Sequence, residues 1–217
     1  MISLITLLLL GYIIGSFPTA ILTGKTFKGI DIRQHGSGNA GATNVYRVLG
    51  LKPALLVVTV DILKGWLATT YLPVLMELTP NIDIDIGITH ILAGLSATVG
   101  HTFSVFAKFR GGKGVATIAG MIIALYPVAV LFCLFVFMVT LIIWGYVSLA
   151  SIAASLILPI IVHFYSIFGL LPPLTSIKFF SLIIPLFVLY THRSNVRRLL
   201  DGSENRFEKV MIFRKSR

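Results

Sequence analysis

The sequence predicts an all-α fold, a polytopic membrane protein of about seven transmembrane helices. Three observations lead there. The chain of 217 residues is 56% hydrophobic and 12% charged, with a mean hydropathy of +0.94, whereas a soluble domain carries about a quarter charged residues. Between Gly114 and Thr191 the only formally charged side chain is Lys178, and a span of about 20 apolar residues crosses a bilayer. The remaining charge is clustered. Lys25, Lys28, Arg33, Arg47 and Lys52 fall in one loop, Lys108, Arg110 and Lys113 in a second, and Arg193, Arg197, Arg198, Arg206, Lys209, Arg214, Lys215 and Arg217 in the tail.

The elements follow in order. Helix one is expected over 2–23; its stretch MISLITLLLLGYIIGSF has no basic start and no small-residue cleavage site, so it reads as a retained helix. A polar loop over 24–52 leads to helix two at 53–75, with Pro53 near its first turn. Helix three is expected at 86–107. The segment 76–86 holds Glu77, Asp83 and Asp85 with no Lys or Arg. Basic residues mark cytoplasmic loops, so the three basic clusters are placed inside and this acidic segment outside. The N-terminus is then outside and the C-terminus cytoplasmic. From Gly114 to Arg193 the chain must leave and return, which requires an even number of crossings. Breaks at Tyr126-Pro127, Trp144-Gly145 and Gly169–Thr175 divide it into helices near 114–127, 128–144, 147–168 and 174–191. The first of these is short, so a five-helix count is the alternative. No repeat or linker interrupts 1–217, which reads as a single domain. Cys133 stands alone, excluding a disulfide framework and a Cys-based metal site.

Three polar motifs fall on the inner side. Gly36, Gly38 and Gly41 in GSGNAGATNVYR have dinucleotide-loop spacing, and Asp61 follows twenty residues later. That fold needs a preceding strand, yet helix one lies upstream and Asp61 falls within helix two. Without the nucleotide, the glycines still expose backbone N–H groups to an anion. Ser37, Asn39, Thr43 and Asn44 add neutral donors, and Arg47 can grip a phosphate bidentately. Taken alone, the loop fits either an anion site or a tight turn joining two helices.

The second motif is Gly100-His101 through Gly111-Gly112-Lys113-Gly114. A lysine and free N–H groups are expected at a positive helix end. Gly114 stands where a nucleotide-hydrolysing loop needs Ser or Thr, which argues against an NTPase. The third is His192-Arg-Ser-Asn195; in a helix His192 and Asn195 share a face. The basic tail from Arg206 to Arg217 reads as an anchor for anionic membrane lipid, which needs neither His192 nor Asn195. Asp61 and Lys64 lie about 12 and 17 Å along helix two; an ion pair and a wall of a polar site are both open. His90 and His163 read as structural, and no cluster suggests a metal. The charge pattern reflects topology and gives no reason to expect nucleic acid.

In these motifs the chain resembles the bacterial acyl-phosphate-dependent glycerol-3-phosphate acyltransferases over essentially its full length. The resemblance rests on Gly36–Asn44 with Arg47, on Gly100-His101 with Gly111–Thr117, and on His192–Asn195 with Arg198-Leu199, Gly202 and Glu204; Asp61, Lys64 and Gly65 also match. It implies seven helices in the bacterial plasma membrane and an active site facing the cytoplasm. It implies transfer of a fatty acyl group from acyl phosphate to the 1-hydroxyl of glycerol 3-phosphate, giving lysophosphatidic acid and phosphate, without a cofactor. Ser37, Asn39 and Arg47 are then expected to line the glycerol-phosphate site, and Lys113 with its glycines to hold a phosphate. His192 and Asn195 complete the polar site, with Ser37 counted among the catalytic candidates; Gly36, Gly38, Thr43, Asn44, Lys64, His101 and Ser151 are further substrate-binding candidates. Ser104 and Asn205 stand where the family commonly has proline, and Gly145 where a basic residue is expected.

Other classes fit less well. No histidine here satisfies the His-x-x-x-x-Asp pattern of soluble-type glycerolipid acyltransferases, and the Asp-rich metal motif of CDP-alcohol phosphotransferases is missing. An organophosphate transporter needs charge across the membrane midplane, which helices four to seven scarcely carry. The acyl-chain preference and the oligomeric state are not encoded in any motif.

Overall fold

The computed structural model describes residues 4–77, 85–167, 175–208 and 211–212. Residues 1–3, 78–84 in the acidic segment, 168–174 with most of the expected Gly169–Thr175 break, 209–210 with Lys209, and 213–217 lie outside the described residues. Every regular element described is helical: α1 (Leu4–Ser16), α2 (Thr19–Lys28), α3 (Ala42–Leu49), α4 (Leu51–Glu77), α5 (Ile86–Thr102), α6 (Val115–Leu125), α7 (Pro127–Trp144), α8 (Val147–Ile167), α9 (Thr175–Thr191) and α10 (Arg193–Leu200). Among the described residues four stretches are long and apolar enough to cross a membrane: Leu4–Lys28, Leu51–Leu75, Pro127–Trp144 and Val147–Phe164. Val115–Leu125 and Ser176–Thr191 are apolar but shorter.

Three of the expected elements are corrected. The first helix breaks at Phe17-Pro18, because proline has no N–H and disfavours helical backbone in the residue before it. A new helix starts at Thr19 and runs to a left-handed Gly29 cap. The loop over 24–52 is not all loop. It contains a short turn at Ile32–Gln34 and α3, which carries Thr43, Asn44 and Arg47. Helix three ends at Thr102 rather than 107, with a separate turn at Val105–Ala107.

The chain forms two compact units, residues 1–125 and 126–217. In the first, α1 packs on α5 and α4 on α6. Small residues permit this: a methyl on Gly15 would strike the Ala97 carbonyl, one on Gly100 the Tyr12 carbonyl, and one on Gly65 the Thr117 carbonyl. Close backbone approach at Gly and Ala is how helices associate where lipid offers no hydrophobic drive. Beneath the polar loops lies a separate cluster of Ala20, Ile21, Ile32, Ala40, Val45, Ala54, Val57 and Ala107. It gathers α2, α3, α4 and both loops around Val45, whose burial stabilises this layer by about 1.5–3 kcal/mol.

In the second unit α7 packs on α8, α8 on α9, and α10 on both α8 and α9. Only 11% of α7 is buried, and Leu131, Phe135 and Leu134 point outward. A helix apolar on every side and so little covered is a lipid-facing one.

Candidate active site

In the first unit the glycine-rich loop is shaped by one side chain. Asn44 on α3 is 1% exposed. Its Oδ1 accepts the Ser37 N–H at 2.7 Å, and its Nδ2 donates to the carbonyls of Ile32 at 2.9 Å and His35 at 3.0 Å. The amide expected to offer a donor to substrate is thus committed to the loop itself, which corrects the reading of Asn44. Gly36 and Gly38 take left-handed backbone, φ +62° and +73°. A side chain at position 36 would also run into the Asn44 amide. Ser37 is exposed at the crest, while Asn39, Thr43 and Arg47 are half-buried beside it.

The second loop is tied to the first. Arg33 pairs with Asp31 at 2.7 Å and donates from Nη1 to the Ala107 carbonyl at 2.7 Å. The Arg33 hydrogen bond holds the Asp31 carboxyl at about 2, below the usual carboxylate range. Beyond Ala107, Gly111 donates its N–H to the Thr102 carbonyl at 3.1 Å and Gly112 to that of His101 at 3.2 Å. The expectation that these two N–H groups are free for an anion is therefore corrected. Their glycines are required by contact instead. A methyl on Gly111 would strike the His101 carbonyl, and one on Gly112 the His101 ring at Nε2. Gly112 also lies against Ala40, so a methyl there would sit 3.0 Å from that carbonyl. Gly114, at φ +82°, turns the chain into α6, with Lys113 half-buried before it.

Below the loops a small pocket is lined by Lys64, His101, Gly111 and Gly112, together with Asp61, Thr19 and Ser104 and apolar groups such as Phe17, Ile21 and Ala40. Asp61, Lys64 and His101 are all buried, at 2%, 5% and 7% exposure. The Asp61 Oδ1 lies 2.8 Å from Lys64 Nζ and 3.6 Å from His101 Nδ1, and accepts from Thr19 Oγ1 at 3.2 Å. Lys64 also donates to the Phe17 carbonyl at 3.3 Å, at the Pro18 break. The two open readings of Asp61 and Lys64 are both realised, since the ion pair is itself a wall of the pocket. Ser104 donates its hydroxyl to the Ser16 carbonyl.

In the second unit the third motif folds around Glu204. Its Oε1 accepts from Asn195 Nδ2 at 2.7 Å and from Ser148 Oγ at 2.9 Å, and its Oε2 from Arg198 Nε at 2.7 Å. Burial pushes this carboxyl up, but the Asn195, Arg198 and Ser148 hydrogen bonds outweigh it and hold it below the usual range. His192, 3% exposed, sets its Nδ1 2.9 Å from the Val188 carbonyl. A carbonyl only accepts, so Nδ1 carries the proton and Nε2 is the basic nitrogen of the neutral ring. Ser151 is buried on α8 and donates to the Val147 carbonyl of its own helix at 2.8 Å. Gly145 caps α7 at φ +75°. It accepts the Phe207 N–H at 2.8 Å, and Met211 packs where a side chain would stand. The tail thus fills the space beside Gly145, where a basic residue was expected.

Sequence reasoning offered Asp61 only as an ion pair or a pocket wall, placed Glu204 only within the resemblance, and gave Thr19 and Ser148 no role. Pro18 within an apolar run marked the break that brings Thr19 to the pocket. Glu204 carried no local signal, because its partners come from α8 and α10.

The glycerol-3-phosphate acyltransferase family profile matches residues 5–202. The chain is 43% identical to the glycerol-3-phosphate acyltransferase of Chlorobium phaeobacteroides over 96% of its length and 98% of that protein's. It is 44% identical to that of Chlorobium limicola, over 95% and 97%. Among solved structures it resembles PlsY (YgiH), an integral membrane glycerol 3-phosphate acyltransferase, in its glycerol 3-phosphate form. There the TM-score is 0.78 at 36% identity, over 94% of this chain and 96% of that one. The lysophosphatidic acid form gives a TM-score of 0.77. With its apolar helices and these full-length likenesses, the chain is a multi-pass membrane protein and belongs to the glycerol-3-phosphate acyltransferase family.

Proposed function

We propose that this glycerol-3-phosphate acyltransferase takes its acyl group from a fatty acyl phosphate, so that the 1-hydroxyl of glycerol 3-phosphate becomes an ester. The hydroxyl oxygen attacks the acyl carbonyl carbon, the bond from that carbon to the phosphate oxygen breaks, and inorganic phosphate leaves with lysophosphatidic acid formed. The observation that carries this reading is the full-length likeness to an integral membrane enzyme solved with glycerol 3-phosphate and, separately, in a lysophosphatidic acid form. Acyl phosphate is a mixed anhydride with a good leaving group, so the protein need chiefly position two phosphates and neutralise them. That task suits a chain with arginines and lysines on its polar loops and no metal-ligand motif in its sequence.

Arg47 and Lys113 serve in this reading as the phosphate clamps, with Ser37, Asn39 and Thr43 beside the first and Gly111, Gly112 and Gly114 shaping the loop of the second. Lys64 and His101 contribute the pocket wall, while Asn44 holds the first loop in shape. His192, Asn195 and Ser151 are assigned to the polar chemistry of the second unit. The hydroxyl proton goes to an oxygen of the substrate phosphate, or to His192 Nε2; we favour the phosphate, which needs no protein base. The whole chain, 1–217, acts as one acyltransferase domain with seven crossings, N-terminus outside and active site facing the cytoplasm of the bacterial plasma membrane.

The test is an assay of the purified protein with glycerol 3-phosphate and acyl phosphate, beside acyl-CoA and acyl-carrier protein. Lysophosphatidic acid should form with acyl phosphate alone; equal use of acyl-CoA overturns the donor assignment. Single cysteines at Ser37 and Lys108, with Cys133 replaced by Ala, should label only from the cytoplasmic side of oriented vesicles. Labelling from both sides points instead to a carrier.

A further inference from the structure

We propose that Asp61 is a positioning residue that sets the Gly111–Gly114 loop through the imidazole of His101, without touching substrate. The inference rests on the reading of that loop as the carrier of the phosphate ligand Lys113.

Three elements send a polar group to one oxygen of Asp61. Thr19 comes from α2, Lys64 from α4 and His101 from the last turn of α5, at 3.2, 2.8 and 3.6 Å. A buried ion pair adds little stability compared with apolar groups of equal volume, so an Asp61–Lys64 pair alone gives no reason for a carboxylate here. The geometry around His101 gives one. Its ring is held between Asp61, at Nδ1, and the Cα of Gly112, which rests on Nε2 so closely that no side chain fits. Its carbonyl accepts the Gly112 N–H and lies where a methyl of Gly111 would be. The loop before Lys113 is therefore moulded on His101, both ring and backbone. A rotated ring and the present path of Gly111-Gly112 cannot coexist.

Asp61 has a grip on that ring that no other side chain described here has, since it faces the one nitrogen not covered by the loop. Replacing it with asparagine keeps the size and an acceptor for Thr19 and Lys64, but removes the charge that fixes the imidazole. The loop then loses its support, and Lys113 meets its phosphate from a displaced backbone. Displacements of this kind cost about ten- to a hundredfold.

The test is a double-mutant cycle on the full-length protein in detergent or vesicles, with KM and kcat measured for both substrates. Lys113→Ala should raise the apparent KM for one phosphate-bearing substrate. Asp61→Asn should raise that same KM at least tenfold with kcat within about threefold, and the double variant should match Lys113→Ala alone, because groups acting as one unit are not additive. His101→Gln should reproduce Asp61→Asn and be non-additive with it. Multiplying effects, a normal KM in Asp61→Asn, or a normal KM in His101→Gln each overturn the proposal while leaving the phosphate loop intact. If Asp61→Asn gives no folded protein by gel filtration, the His101→Gln and Lys113→Ala pair decides alone, with additivity as the refuting result. Unchanged KM values in Lys113→Ala remove the phosphate-loop reading, and this inference with it.

Discussion

The Asn195 amide donates to Glu204 at 2.7 Å, across nine residues of chain. Asn195 therefore takes its orientation from a buried carboxylate that Arg198 and Ser148 also hold. Glu204→Gln keeps the shape but gives up charge-assisted bonds, each worth roughly 1.5–3 kcal/mol. Thermal unfolding in detergent should show a loss of about that size, with turnover falling as well. A variant as stable as the parent, with full turnover, contradicts this role.

The same carboxylate makes stability sensitive to acid. Both Glu204 and Asp31 are held below their ordinary values of 4.5 and 3.8, Asp31 at about 2. A carboxyl depressed in the folded state contributes stability above its unfolded value, and the contribution is lost as pH falls through the folded one. Unfolding temperature should thus be level at neutral pH and drop below about pH 4.5. The drop should be shallower in Glu204→Gln and in Asp31→Asn. An unchanged slope in both variants rules this source out.

Two glycine substitutions should behave differently. Gly112→Ala puts a methyl into the His101 ring, and activity should fall about a hundredfold through the displaced loop. Gly29→Ala meets no neighbouring atom but keeps φ near +66°, so it should cost about 1–2 kcal/mol of stability and leave kcat unchanged. Equal activity in the two variants would show that the Gly112 contact does not matter.

His192→Ala should lower kcat while KM for both substrates largely persists. The size of the fall locates the proton acceptor. General-base catalysis contributes about 10²- to 10⁴-fold, so a smaller loss favours the substrate phosphate. Full retained activity removes His192 from the chemistry. Arg47→Ala should mainly raise KM for a phosphate-bearing substrate, and unchanged kinetics would reject that clamp.

Much of the fold was legible before any coordinates. Runs such as Pro127–Trp144 and Val147–Ile167 announce themselves because a lipid-facing helix must be apolar on all sides, and Gly145 stops the first of them as expected. The Phe17-Pro18 break was less visible, since apolar residues continue on both sides of it. Helix α3 was hidden in a polar loop because it is short and buries little besides Val45 and Asn44.

The candidate site divides in the same way. Sequence alone determined the membrane class, the helix-forming runs and the three polar motifs, because hydropathy, charge and glycine spacing are local quantities. Only the tertiary structure decided what those motifs do with their groups. It turned Asn44 inward, occupied the N–H groups of Gly111 and Gly112, and brought Asp61 to His101 across forty residues of sequence. Those outcomes depend on which backbone atoms come within about 3 Å of one another, and chain packing, not residue type, sets that distance.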